Sequence, residues 1–298
     1  MTTDVLTTSP APAAATRRER TIDLGVTGWS ALGILAAIVL VAVLAPVLTH
    51  YSPNASQGLL DSYLPPSGSH WLGTDFSGRD IATRLVYGAR TSLLGPLAIV
   101  VISLLVGIPL ALTAAWRGGW VAFAIGRLLD IVFAIPGLLL AILTVALFGP
   151  GLWSAVIALG IAYLPYAARL TLAAAEQERH RQYVRTLTVQ GHGVMRIVVR
   201  HVLRNLTPVI AGQATVAFAY ALIDLASLSF LGLAVQPPQA DWGVLVSDRD
   251  AILQHHPGQV IAAGAAIVVT IVCLFVLGAR LSGERPSARA WLRRGSAR

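Results

Sequence analysis

AAAEQERHRQYVRTLTVQGHGVMRIVVRHVLRN, residues 173–205, separates two long apolar runs and decides how the rest of the chain is read. Seven arginines lie in or beside it (Arg169, Arg179, Arg181, Arg185, Arg196, Arg200 and Arg204), and Gly191 sits in its middle. Around it run six apolar stretches: 28–49, 92–116, 128–148, 152–168, 206–235 and 259–279. About 20 helical residues cross a hydrocarbon core. Lipid offers no partner to a backbone N–H or C=O, so such stretches are helices. A chain of 298 residues that is 55% hydrophobic and 12% charged is thus expected to be an all-α polytopic membrane protein with six transmembrane helices.

Orientation follows from the basic residues, which are all arginine. Eighteen of the 22 fall at the N-terminus, in the second–third loop, in and beside 173–205, and in the tail. Only Arg79, Arg84, Arg90 and Arg249 fall on the other side. The positive-inside rule then makes both termini and the long loop of this multi-pass protein cytoplasmic. A net charge of +8 reports this topology and contact with anionic lipid in the bilayer, not nucleic-acid binding.

The chain divides into a polar N-terminus, 1–27, expected to be disordered, and a first span with its extracytoplasmic segment, 28–91. A five-helix core, 92–280, carries the loop, and a basic tail, 281–298, follows. Within 28–91, Pro53, Asn54, Pro65, Pro66, Gly68 and Gly73 predict loop. Ile81, Leu85, Val86 and Ala89 then recur at helical spacing behind Asp80, a candidate N-cap. Arg79, Arg84 and Arg90 are expected to hold that helix at the membrane surface. Pro96, Pro109 and Pro136 allow kinks in the second and third spans. Asp130 lies near the cytoplasmic start of the third span, with Arg127 as its expected partner, and Asp224 lies deep in the fifth. A carboxylate that deep faces protein or water, as a pathway residue or as a polar contact between helices.

In the long loop, 176–189 carries alternating charge without helix breakers, and Gly191 permits a reversal. Val194, Ile197, Val198 and Val202 then fall on one helical face, and Arg196, Arg200 and Arg204 form a basic stripe. The expectation is an amphipathic helix–turn–helix, lying on anionic lipid or offered to a partner's groove. A channel or anchor has no need of such an element, whereas a membrane subunit driven by a soluble motor does. None of the 298 residues is a lysine, which excludes a P-loop and Schiff-base chemistry, so any ATP must be bound by another chain. Cys273 stands alone within the sixth run as a small apolar residue.

Four ordered blocks resemble the inner-membrane permeases of binding-protein-dependent ABC importers, specifically the C-type subunit of the dipeptide/oligopeptide/nickel class. They are 70–93 (HWLGTDFSGRDIATRLVYGARTSL), Arg127–Asp130 with 134–142 (AIPGLLLAI), 226–233 (ASLSFLGL), and 235–238 (VQPP) with Asp241-Trp242-Gly243. Gly73, Thr74, Asp75, Gly78, Arg79 and Asp80 carry the first of these signatures. The resemblance covers about 28–285 and implies the type I importer permease fold. In that family two short helices around a glycine dock into a groove of the ATPase subunit. On this chain the matching positions are Tyr183, Val184, Arg185, Gly191, Arg196, Arg200, His201, Leu203 and Asn205. Arg185-Thr186-Leu187 stand where Glu-Ala-Ala is usual, and Arg204 replaces a usual proline. The charge reversal at Arg185 implies a matched ATPase or coupling that leans on the partner permease.

The resemblance further implies a heterodimer with a second permease, two cytoplasmic ATPases holding ATP and Mg, and an extracytoplasmic substrate-binding protein. This chain would then have no catalytic residue, cofactor or metal of its own, and Asp224 and Ser227 are its pathway candidates. Di- or oligopeptides are the expected cargo, with nickel or another small solute as the alternative. A secondary transporter is the competing class. It calls for an inverted repeat and several deep ionisable groups, and the sequence offers neither. An intramembrane enzyme calls for a nucleophile–base or metal constellation. His50, His70, His180, His192, His201, His255 and His256 all lie outside or at the ends of the spans.

Overall fold

A computed structural model of the chain describes residues 24–56 and 58–282. Most of the N-terminal segment and of the basic tail expected from the sequence lie outside the described residues. Five helices are long and apolar enough to cross a membrane: α1 (Gly25–Val43), α3 (Ile81–Arg117), α6 (Leu152–Arg179), the continuous helix Val194–Phe230, and α12 (Gly258–Leu281). A one-turn helix, α2 (Ala45–Leu48), follows α1. The third expected span is a bent pair, α4 (Gly119–Phe133) and α5 (Gly137–Phe148), meeting at 77°. Counted as one span, the pair makes six. Pro136 accounts for the break. It has no N–H to continue the ladder, and it pushes Ile135 out of the helical region.

The connection between α6 and the fifth span consists of α7 (Gln182–Val189), α8 (Val194–Ile197) and a π-helical turn over Val198–Val202 that runs into α9 (Leu203–Phe230). Two short helices, α10 (Trp242–Val246) and α11 (Arg249–Leu253), lead into α12. The core is where α3, α6 and α9 meet: Ile99 and Val100, Val156 and Leu159, and Leu225 and Leu228 pack there, with Ala141 of α5. Small residues let backbones close up, since a Cβ on Gly107 would lie 3.2 Å from Ala167 Cβ. The outer helix α1 exposes Val39, Leu40 and Val43, as a lipid-facing helix should.

The helix expected at the membrane surface is instead the start of α3, which runs unbroken for 37 residues. Asp80 does cap it, accepting from Thr83 N–H at 2.7 Å. The arginines are not surface anchors as a set. Arg79 and Arg84 are buried, and only Arg90 is exposed. Arg79 Nε lies 2.7 Å and Arg84 Nε 3.5 Å from Asp75 Oδ2. The Arg84 fork also donates to the carbonyls of Pro53 and Pro238. Asp75 accepts from the N–H groups of Ser77 and Arg79, and Asp80 meets His70 Nδ1 at 3.0 Å. Gly73 has φ +79°, and a Cβ there would lie 2.4 Å from Leu64 O.

The block Asp241-Trp242-Gly243 closes the same end of the bundle. Asp241 accepts from Ser92 Oγ at 2.6 Å, and Trp242 Nε1 donates to Leu85 O at 2.9 Å. A Cβ on Gly243 would lie 2.5 Å from Ala226 O. Two stretches about 150 residues apart in sequence therefore form one clasp around the first turns of α3.

Candidate functional site

Helix α6 has 28 residues, roughly 42 Å of rise, and so outruns a hydrocarbon core of about 30 Å. Its buried stripe passes through Ala168, Thr171 and Ala175 and reaches Glu178, which is 4% exposed. A carboxylate so placed must be satisfied by donors. Glu178 Oε1 accepts from Tyr183 Oη and Asn205 Nδ2, each at 2.9 Å, and Oε2 lies 2.7 Å from Arg181 Nε. One side chain thus ties together the end of α6, the start of α7 and the start of α9. Burial, and then the bond to Glu178, push the Tyr183 phenol up to about 12, so it remains a donor throughout the neutral range.

Beneath this knot lies a small apolar cluster of Ala115, Ala175, Val184, Ile197, Val202 and Leu206. Arg179 donates to the carbonyl of Ala115, fastening the same level to the last turn of α3. At its far end α7 stops at Gly191, whose φ is +81°. His192 N–H bonds to Leu187 O and Gly191 N–H to Thr188 O, the paired bonds of a Schellman cap. Gly191 is the residue type that adopts this conformation without strain.

The second helix of the expected pair is not a separate element. Val194–Phe230 is one helix, with the π turn taking up an extra residue. Ile197, Val198 and Val202 are buried as their spacing predicts, but Val194 is exposed. Val189 (89% exposed), Val194, Met195 (77%) and Val199 leave an apolar tip around the turn. Arg185, Arg196, Arg200 and Arg204 are exposed beside it. Of the residues named from sequence, Tyr183 and Val184 belong to the packed root, Asn205 is exposed while its amide donates to Glu178, and Leu203 and His201 are half-buried. Arg185, Gly191, Arg196 and Arg200 lie at the exposed face.

Deeper in the bundle, Tyr163 of α6 donates to Asp224 Oδ2 at 2.8 Å, linking the deep acid to a neighbouring helix. Ser227 is exposed, and its hydroxyl returns to Ile223 O. Tyr220, Ile223, Ser227 and Phe230 share that open face of α9. Asp130 meets Arg127 at 3.9 Å as expected, but its closer partner is Arg169 of α6, which also lies over the Phe133 ring. Gly73, Thr74, Asp75, Gly78, Arg79 and Asp80 all belong to the clasp at the start of α3. Among the described residues no three His, Cys, Asp or Glu side chains gather as a metal would require. His256 stacks on Tyr63 at 4.8 Å.

Glu178 was not among the residues named from sequence. Its signal is the core spacing Ala168–Thr171–Ala175 carried one turn further, hidden in a segment that reads as alternating surface charge.

Residues 107–283 match the family described as "Binding-protein-dependent transport system inner membrane component". The chain is 38% identical to the dipeptide transport system permease protein DppC of Alkalihalophilus pseudofirmus, covering 82% of this chain and 80% of that one. Identity is 40% with the di/tripeptide transport system permease protein DppC of Pseudomonas aeruginosa, over 81% of each chain. Among solved structures, an inward-facing form of the MetNI methionine ABC transporter matches with a TM-score of 0.55 at 17% identity. That match covers 67% of this chain and 95% of the other and shares the permease fold.

Proposed function

Because this chain belongs to the family of binding-protein-dependent transport system inner membrane components, we propose that it forms one transmembrane half of an ATP-driven importer of short peptides. A second, homologous permease would complete the pathway, two cytoplasmic ATPases would bind ATP and Mg, and an extracytoplasmic binding protein would deliver the cargo. The termini and 173–205 face the cytoplasm in this reading. The chain holds no cofactor and catalyses no reaction. Peptide cargo follows from the dipeptide and di/tripeptide transport systems of its relatives.

The observation that carries the reading is the element 182–202: rooted on α6 and α9 by Glu178, capped at Gly191, and left apolar and basic at its tip. Such an element transmits motion because its root is rigid while its tip is free to dock. ATP-driven closure of the ATPases would draw the paired tips together and turn the pathway outward. Asp224 and Ser227, on the open face of α9, would line that pathway. Arg185 and Arg196 would require an ATPase groove with acidic residues at its rim.

The test is an insertion of one residue beside Gly191, in the chain co-expressed with its cognate ATPases, partner permease and binding protein. Membrane insertion should be unchanged while ATPase copurification and peptide uptake fall together. Unchanged uptake and ATPase retention would defeat the assignment. Uptake that survives ATP depletion on a proton gradient would favour a secondary transporter.

A further inference from the structure

Beside the Glu178 knot opens a cavity of about 440 Å³ lined by Tyr183, Arg200, His201, Arg204 and Asn205. Arg200 and Arg204 are one turn apart on the same helix, and both are exposed. Neither they nor His201 has an ion pair or side-chain hydrogen bond among the described residues. The carboxylate closest to the lining by its bonds, Glu178, already accepts from Tyr183, Asn205 and Arg181. The cavity therefore has two arginines and a histidine with no anion to answer them.

Its depth narrows the choice of anion. The apolar cluster next to it joins Ala115, in the last turn of α3, to Val202 and Leu206 at the start of α9. The apolar runs 92–116 and 206–235 end and begin at that level, which in the proposed function is the cytoplasmic edge of the hydrocarbon. Val194, on the docking tip, is ten residues from Arg204, roughly 15 Å of helix. A partner seated on the tip leaves the cavity at the bilayer surface. Guanidinium groups bind phosphate oxygens bidentately, and basic pockets at the cytoplasmic ends of spans suit anionic headgroups. We propose that this cavity binds the phosphate of an anionic phospholipid such as phosphatidylglycerol, held by Arg200 and Arg204. The Tyr183 hydroxyl lies at the wall, so an occupied site would brace the root of the element that carries the tip.

The experiment is native mass spectrometry of the full-length chain released from nanodiscs, with phosphatidylglycerol titrated against phosphatidylcholine. Each basic residue near a membrane surface contributes enough that losing two lowers apparent affinity about 30-fold. Arg200→Gln with Arg204→Gln should show that loss, and Arg204→Gln alone about fivefold. The paired lysine variants should recover most of the retention, and Arg185→Gln, outside the cavity, should leave it unchanged. Unfolding temperature in pure phosphatidylcholine checks that the variants fold; if the double variant does not, Arg204→Gln decides. Equal retention by wild type and the glutamine variants would overturn the proposal. Displacement of the lipid by inorganic phosphate would make the ligand a free oxyanion, and its expulsion by the ATPase would give the cavity to protein. Either result overturns the lipid assignment.

Discussion

The two ends of this molecule treat buried charge in the same way and exposed surface in opposite ways. At the end where α3 begins, Asp75 closes on Arg79 and Arg84, Asp80 caps the helix, and Trp242 seals the clasp against α3. At the opposite end, Glu178 closes a knot of the same kind, but the helices beyond it stop short and leave Val189 and Met195 in the open. The first region is finished within one chain. The second is finished only when something covers its tip. A buried ion pair alone is therefore no mark of function here, and the unfilled surface next to one is.

This contrast can be broken from either side. The largest effect is expected at the clasp. Arg84→Ala removes a guanidinium that is 2% exposed and leaves the carbonyls of Pro53 and Pro238 without their charged donor, which should cost about 3–5 kcal/mol. Thermal unfolding in detergent should show a large drop, and a silent variant would mean the clasp does not hold the bundle. Glu178→Ala comes next, at about 1.5–3 kcal/mol from lost hydrogen bonds to a charged group. Its signature is local: protease should cut between α6 and α7 sooner while the spans stay protected. Gly191→Ala places a side chain at φ +81°, with a smaller cost of about 1–2 kcal/mol. Faster amide exchange confined to α7 would register it. Smallest in stability is Val189→Ala with Met195→Ala, within about 0.5 kcal/mol of wild type, because neither residue packs on its own chain. ATPase copurification should nevertheless fall, which separates the tip from the root.

The spans were legible because lipid leaves a helix no alternative, and the Asp80 cap because the side chain that starts a helix is local. The break at Pro136 was legible as a kink but not as a 77° bend, since the angle is set by what α4 and α5 pack against. Arg79 and Arg84 were misread as surface anchors. Spacing gives a residue's face on a helix, but not the loop that folds over it from residues 53 and 238. In the long loop, Gly191 and the buried face of Ile197, Val198 and Val202 followed from the sequence. The merger of the second helix with the fifth span did not, because Pro208, a helix breaker by type, lies inside the continuous helix Val194–Phe230 rather than ending it. Glu178 was hidden because a charged residue on a core stripe looks like surface until its three donors are in place.

The central claim is that the tip around Gly191 meets an ATPase, and proximity tests it most directly. Met195→Cys, in a chain whose own Cys273 is buried, gives a thiol at the tip for a short bifunctional cross-linker in the assembled, transporting complex. The account predicts a cross-link to the ATPase subunit whose yield changes when ATP is added. Absence of that cross-link in a complex that still imports its substrate would contradict it.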